Sequence, residues 1–272
     1  MDLENNGTYL ARATDEDVVG DTIIIPETVE TISGYILAEV CEEIREINIP
    51  SSVKVIEEGA FSRPSIVSVT LHEGLEFIQA EVFADSSIRE IDIPDSVVEI
   101  GNNAFCCCTK LRDVKLSENL EEIRPYTFNR CIDLEEIIIP GSVEIIGNAA
   151  FSNCDNLKKV TLSRGLKEIQ GDAFVGCNSL REITIPKTVN RMKYDALFDC
   201  EKLRQIIAEE GISQEIINML LDTYPECNIV VLYSNGKEKS LNRDSSIGSS
   251  STEKPRKESV LDRIIREAQE RV

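Results

Sequence analysis

Phe61, Phe83, Phe105, Phe128, Phe151 and Phe174 stand 22, 22, 23, 23 and 23 residues apart, and Leu197 continues the column after another 23. Six of the eight phenylalanines in this 272-residue chain therefore share one position in a repeating unit. A period of this length restricts the fold to a stack of similar coils. A unit of 22 or 23 residues cannot bury its own apolar face and must share one continuous core with its neighbours. The residue before the ring is small in most units (Ala60, Ala104, Ala150, Ala173, Ala196), so a column of large side chains runs beside a column of small ones.

The same period governs Ile25, Ile49, Leu71, Ile93, Leu116, Ile139, Leu162, Ile185 and Ala208, each with an apolar residue two positions earlier. Apolar residues at i and i+2 point to one face of a strand, and the residue between them points to the other. The pattern predicts nine short strands, which at strand spacing make a sheet about 40 Å long. Written from Cys131 to Asn153, the unit reads C-x-x-L-x-x-I-x-I-P-x-S-V-x-x-I-G-x-x-A-F-x-x. Length changes fall between the Cys and Leu columns, where a turn tolerates them and a strand does not. A second period overlies the first. Pro26, Pro50, Pro94, Pro140 and Pro186 follow alternate strands from Pro50 onward, with His72, Ser117 and Ser163 between, which points to duplication of a two-coil unit. Proline is harmless where a strand ends and no ladder N–H is needed.

These residues resemble the BspA-like class of leucine-rich repeat, whose coils read close to L-x-x-I-x-I-P-x-S-V-x-x-I-G-x-x-A-F-x-x-C. The resemblance spans roughly residues 22 to 208. It implies a right-handed solenoid of 22–24-residue coils, about eight in number, with a parallel β-sheet on one side, no catalytic machinery and no cofactor. Many relatives are secreted or surface-exposed bacterial proteins that bind host or matrix proteins.

The sequence divides into an N-terminal cap (residues 1–21), the repeats (22–210), and a C-terminal cap of one short helix and one strand (211–233). A flexible linker (234–258) and a terminal amphipathic helix (259–272) follow. Ser213 is placed to cap the first helix, with Ile216, Ile217, Leu220 and Leu221 on one side and Pro225 beyond its end. The serine- and charge-rich stretch after Tyr233 has no apolar period. In the last segment Leu261, Ile264 and Ile265 lie on one helical stripe, a surface for a partner or for self-association.

Charge and composition exclude several functions. Acidic residues outnumber basic ones 49 to 29, a net charge of -20. Residues 234–272 hold nine basic and seven acidic side chains and so carry +2, which leaves -22 on the rest. Nucleic acid and anionic membrane are poor partners for such a body, and a basic protein is a better one. One His and no Trp leave little for His-based catalysis, His-rich metal sites or base stacking. The polar start, MDLENNGTYL, lacks the basic and apolar regions of a secretory signal, so a cytoplasmic location is expected. A secreted or surface location is expected only if residue 1 is not the native start.

Cys41, Cys108, Cys131, Cys154, Cys177 and Cys200 occupy one column of the unit. Registration spreads them in a row at coil spacing rather than around one point, so buried free thiols are expected and no metal. Cys106 and Cys107 fall outside that column and are expected to be exposed. His72 sits in a turn column with no nucleophile assigned to it.

The solvent side of the predicted sheet carries two charged columns. Glu46, Glu90, Asp113, Glu136 and Glu182 form one, interrupted by Ser68, Lys159 and Gln205, and the position before it holds Arg45, Arg89, Arg112, Lys158, Arg181 and Arg204, so a ladder of exposed ion pairs is expected. Ile138 and Ile207 are apolar on this otherwise polar side. The expected function is a noncatalytic scaffold that binds another protein through Glu90, Asp92, Asp113, Glu136, Ile138 and Glu182, or through the terminal stripe. The alternatives are a self-assembling structural protein and, with a different start, a surface adhesin.

Overall fold

A computed structural model describes residues 1–40 and 43–241. Cys41, Leu261, Ile264, Ile265 and the expected terminal helix lie outside the described residues.

The chain winds through parallel coils that each contribute two strands. The first row runs from Thr22–Ile23 through Glu46–Asn48, Ser68–Thr70, Glu90–Asp92, Asp113–Lys115, Glu136–Ile139, Lys159–Leu162 and Glu182–Ile185 to Gln205–Glu209. These are the nine strands that the i, i+2 pattern predicts. Pairing follows the repeat: Glu136, Ile137, Ile138 and Ile139 lie opposite Lys159, Val160, Thr161 and Leu162. Ile137 and Ile139 are buried while Glu136 and Ile138 face solvent.

A second row, absent from the nine strands expected, consists of two-residue strands from Thr31–Ile32 to Arg191–Met192, again paired parallel. Its signature is the column Ile32, Ile56, Ile78, Ile100, Ile123, Ile146 and Ile169, all buried. Two residues are too few to show an alternation, so periodicity alone gives no strand there.

The third side of each coil has no strands, yet its backbone is laddered too. The Phe105, Phe128, Phe151 and Phe174 N–H groups donate to the carbonyls of Thr127, Ala150, Ala173 and Ala196 in the next coil at 2.8–2.9 Å. The chain reverses around each ring through left-handed residues two before it (Glu81, Asn103, Tyr126, Ala149, Asp172) and two after it (Asp85, Cys107, Arg130, Asn153), with φ of 52–60°. Inside this corner the six rings form one stack, with centroids 5.3–6.0 Å apart and planes within 22°. All six are fully buried.

In two coils a close backbone contact accompanies the alternation of coil types. A Cβ on Gly165 would lie 1.7 Å from the Gly141 carbonyl oxygen, and one on Gly74 would lie 2.5 Å from that of Ser51. Turns after a proline press on the turn of the following coil, which answers with glycine in two of three cases.

Both ends are closed. Tyr9–Arg12 pairs parallel with Thr31–Ile32 and is covered by the antiparallel strand Asp2–Glu4. Val18–Val19 pairs antiparallel with Thr22–Ile23. At the far end the helix Gln214–Thr223 starts where the Ser213 side chain accepts the Ile216 N–H, and it buries Ile216, Ile217 and Leu220. The next residue, Tyr224, is buried, and its hydroxyl accepts the Leu197 N–H at 3.1 Å while donating to the Tyr194 carbonyl. Leu197 continues the ring column, so this hydroxyl stands where a further coil would have offered a carbonyl. Asn228–Leu232 then adds a strand beside Gln205–Glu209.

The stretch from 234 is not linker throughout. Glu238–Leu241 pairs antiparallel with Asn228–Leu232. The reversal is a three-residue loop whose Gly236 takes φ of 77°, the usual place for glycine in such a hairpin. Composition hid this strand because an outermost strand needs only charged, exposed residues to cover its neighbour's edge.

Replacing Phe151 with Ala should destabilise the fold by about 3–5 kcal/mol, since it leaves a gap in the ring stack. Tyr224→Phe removes only a hydroxyl but leaves the buried Leu197 N–H unpaired, a loss of about 1–3 kcal/mol. Urea unfolding of both variants checks the two values.

Candidate functional site

In-register stacking puts equivalent residues of successive coils side by side on the solvent face of the first row. Glu90 therefore stands beside Asp113, and Asp92 beside Lys115. Like charges so placed repel, which a surface selected for stability alone would relieve. The expected ion-pair ladder is largely missing. Lys159 meets Glu136 at 3.5 Å and Lys158 meets Glu135 at 2.7 Å, but among the described residues Glu90, Asp92, Asp113 and Glu182 form no ion pair. Arg204 instead donates to the carbonyls of Glu201 and Leu203. Parallel registration explains the failure, because it aligns each charge with its own column before it offers the opposite one.

Asp92, Asp113, Glu136 and Ile138 come together around one open depression of about 380 Å³, joined by Lys115 and Glu118. Glu90 flanks it on the strand of Asp92. Ile138 is 65% exposed, an apolar side chain among carboxylates. Glu182 lies apart, two coils further on, in a shallower depression with Arg181, Lys202, Arg204 and Gln205. Ile207, expected as a second contact point, is buried. Its strand is not the last, and Val230 of the added strand stands next to it, with Thr184 on the other side. Lys115 and Glu118 escaped the sequence reading. Lys115 shares the Ile138 column, where a polar residue carries no signal beyond solvent exposure, and Glu118 lies in a turn that strand periodicity does not reach.

The thiol column does a structural task. Cys108, Cys131, Cys154, Cys177 and Cys200 donate to the carbonyls of Phe83, Phe105, Phe128, Phe151 and Phe174, each in the preceding coil, at 3.1–3.3 Å. Burial pushes the Cys108 thiol up to about 12, and holds Cys131, Cys154 and Cys177 well above the ordinary range. Cys106 and Cys107, expected to be exposed, are half-buried. The turn that carries them leans against both neighbouring coils, with the Asp85 N–H on the Cys106 carbonyl and the Cys107 N–H on that of Asn129, each at 2.8 Å.

A thiol with a raised folded-state pKa stabilises the fold fully below the unfolded value and loses that contribution as pH rises through the folded one. For Cys108 that window runs from 9.0 to about 12. Stability should therefore fall above pH 9.0. In Cys108→Ala the fall should be shallower by about 1.4 kcal/mol per pH unit. Urea midpoints of both proteins across this range provide the check.

Comparison with known proteins follows the same architecture. The family profile of the BspA type leucine rich repeat region matches in 6 copies over residues 20–111 and 76–204. Among solved structures, a leucine-rich repeat protein from Eubacterium ventriosum is 25% identical with a TM-score of 0.50, over 73% of this chain and 48% of that chain. A leucine rich cell surface protein from Faecalibacterium prausnitzii is 23% identical with a TM-score of 0.44, over 81% and 74%. A leucine-rich repeat protein from Bacteroides ovatus is 19% identical with a TM-score of 0.47, over 76% and 65%. The chain thus spans about half the length of the Eubacterium protein. No curated protein matches it. Among the described residues no helix is long and apolar enough to cross a membrane. With the profile matched over more than half of its length, this chain belongs to the BspA-type leucine-rich repeat family.

Proposed function

We propose that the protein is a noncatalytic scaffold that holds a basic segment of another protein on the solvent face of its first strand row, at the depression formed by Asp92, Asp113, Glu118 and Glu136 around Ile138. The observation that carries this reading is Ile138, 65% exposed at a depression lined by Asp92, Asp113, Glu118 and Glu136 and by Lys115, with Asp92 and Asp113 lacking an ion-pair partner among the described residues. A net charge of -20 raises the encounter rate with a cationic partner and selects against anionic ones. Lasting affinity comes mainly from a small apolar anchor inside a polar rim, and Ile138 supplies one. Cys106, Cys107, Cys108, Cys131, Cys154, Cys177 and Cys200 stand as free thiols, which suits a compartment that keeps them reduced.

The test uses fluorescent peptides in which Lys and Arg flank one Leu or Ile, titrated against the full chain and against a chain ending at Leu241. Wild type should bind in a salt-sensitive way, and the shorter chain equally well. Ile138→Asp should weaken binding by about tenfold or more. Asp92→Asn with Asp113→Asn should reduce both affinity and its salt dependence. Binding that these substitutions leave unchanged places the partner site elsewhere, and binding lost only on truncation assigns it to residues 242–272. A solution mass at a multiple of the monomer's favours self-assembly.

A further inference from the structure

Cys106 and Cys107 follow Phe105 where other coils carry Ala84-Asp85, Asn129-Arg130 or Ser152-Asn153. They take no part in the thiol column, and the packing of the coil does not require them. Their sulfurs lie 3.6 Å apart, and Cys106 Sγ is also 3.7 Å from Asn129 Oδ1. The peptide that joins them is clamped by the neighbouring coils on both sides, and Cys107 is fixed in a left-handed conformation with φ of 60°. The pair is thus held together before any ligand arrives, which lowers the entropic penalty of binding both sulfurs at once. Both are only half-buried, whereas Cys108, Cys131, Cys154 and Cys177 are closed off.

Two sulfurs bound to one centre at about 2.3 Å sit about 3.3–3.8 Å apart for bond angles from a right angle to tetrahedral, a range that includes the 3.6 Å found here. A four-coordinate metal needs two further ligands, and among the described residues no group of three His, Cys, Asp or Glu side chains converges to hold one. A soft centre that brings its own third substituent needs only the two sulfurs. We propose that Cys106 and Cys107 form a vicinal dithiol site for a soft trivalent main-group electrophile of the monosubstituted arsenic(III) type. Thiolates select such soft centres over harder ones. The reaction with an R–As=O species balances without an oxidant. Two As–S bonds replace the As–O double bond, the two thiol protons leave with the oxygen as water, and arsenic stays trivalent.

The probe is phenylarsine oxide, added to the native full chain and read by intact mass. Wild type should gain a single adduct per chain, equal to the reagent less one water, and 1,2-ethanedithiol should remove it. Cys106→Ser and Cys107→Ser should each abolish the adduct, while Cys131→Ser keeps it. Circular dichroism shows that every variant compared is folded. No adduct on native wild type, or an adduct that survives in either of the first two variants, overturns the assignment.

Discussion

The body rests on one demand, that each coil complete the hydrogen bonding of the coil before it. An unpaired polar group in an apolar interior costs several kcal/mol. The ring corner shows how fully this is met. The Phe105 carbonyl accepts the Cys108 N–H from its own coil at 3.2 Å and the Cys131 thiol from the next at 3.3 Å. Near the start of the stack an arginine does the work of the thiol, with the Arg63 guanidinium on the carbonyls of Leu37 and Val40. With the rim satisfied in this way, the corner can be filled by rings alone, and they settle into a continuous stack.

The same registration imposes its order on the outside. Strand pairing that matches Ile137 to Val160 must also match whatever lies between the buried positions, so charge on the face is arranged in columns whether or not that is favourable. On most coils the columns are mixed by Lys115, Lys159, Thr161 or Thr184. Around Asp92, Asp113 and Glu136 the carboxylates still outnumber Lys115 and Lys159, and an exposed isoleucine sits among them. Local conflict of this kind inside an otherwise self-consistent repeat is where function is expected to reside.

Features set by periodicity were legible before any coordinates. The Phe column set the period, and the i, i+2 pattern of the column from Ile25 to Ala208 located the nine strands of the first row and told inside from outside, because burial is a direct consequence of side-chain alternation. Two kinds of feature were not legible. The two-residue strands of the second row and the turn residue Glu118 are too short or too irregular to carry a period. Ile207, Cys106 and Cys107 were misjudged for a different reason: their exposure depends on what lies in the neighbouring coil, which a reading confined to one unit does not weigh. The outermost strand, Glu238–Leu241, combines both problems, being polar in sequence and defined only by its partner.

Tyr224 bonds to the last ring-column position and to nothing in the interior of the stack, and the N-terminal strands meet only the first coils. Neither end has any means of sensing how many coils lie between. Gly165 against Gly141 makes neighbouring coils unlike, however, so the interchangeable module is the pair, such as the 46 residues from Pro94 to Ile139. A gene for this protein can therefore lengthen or shorten the face by whole pairs through unequal recombination and still encode a closed molecule, which makes the reach of the surface a quantity free to evolve separately from its chemistry.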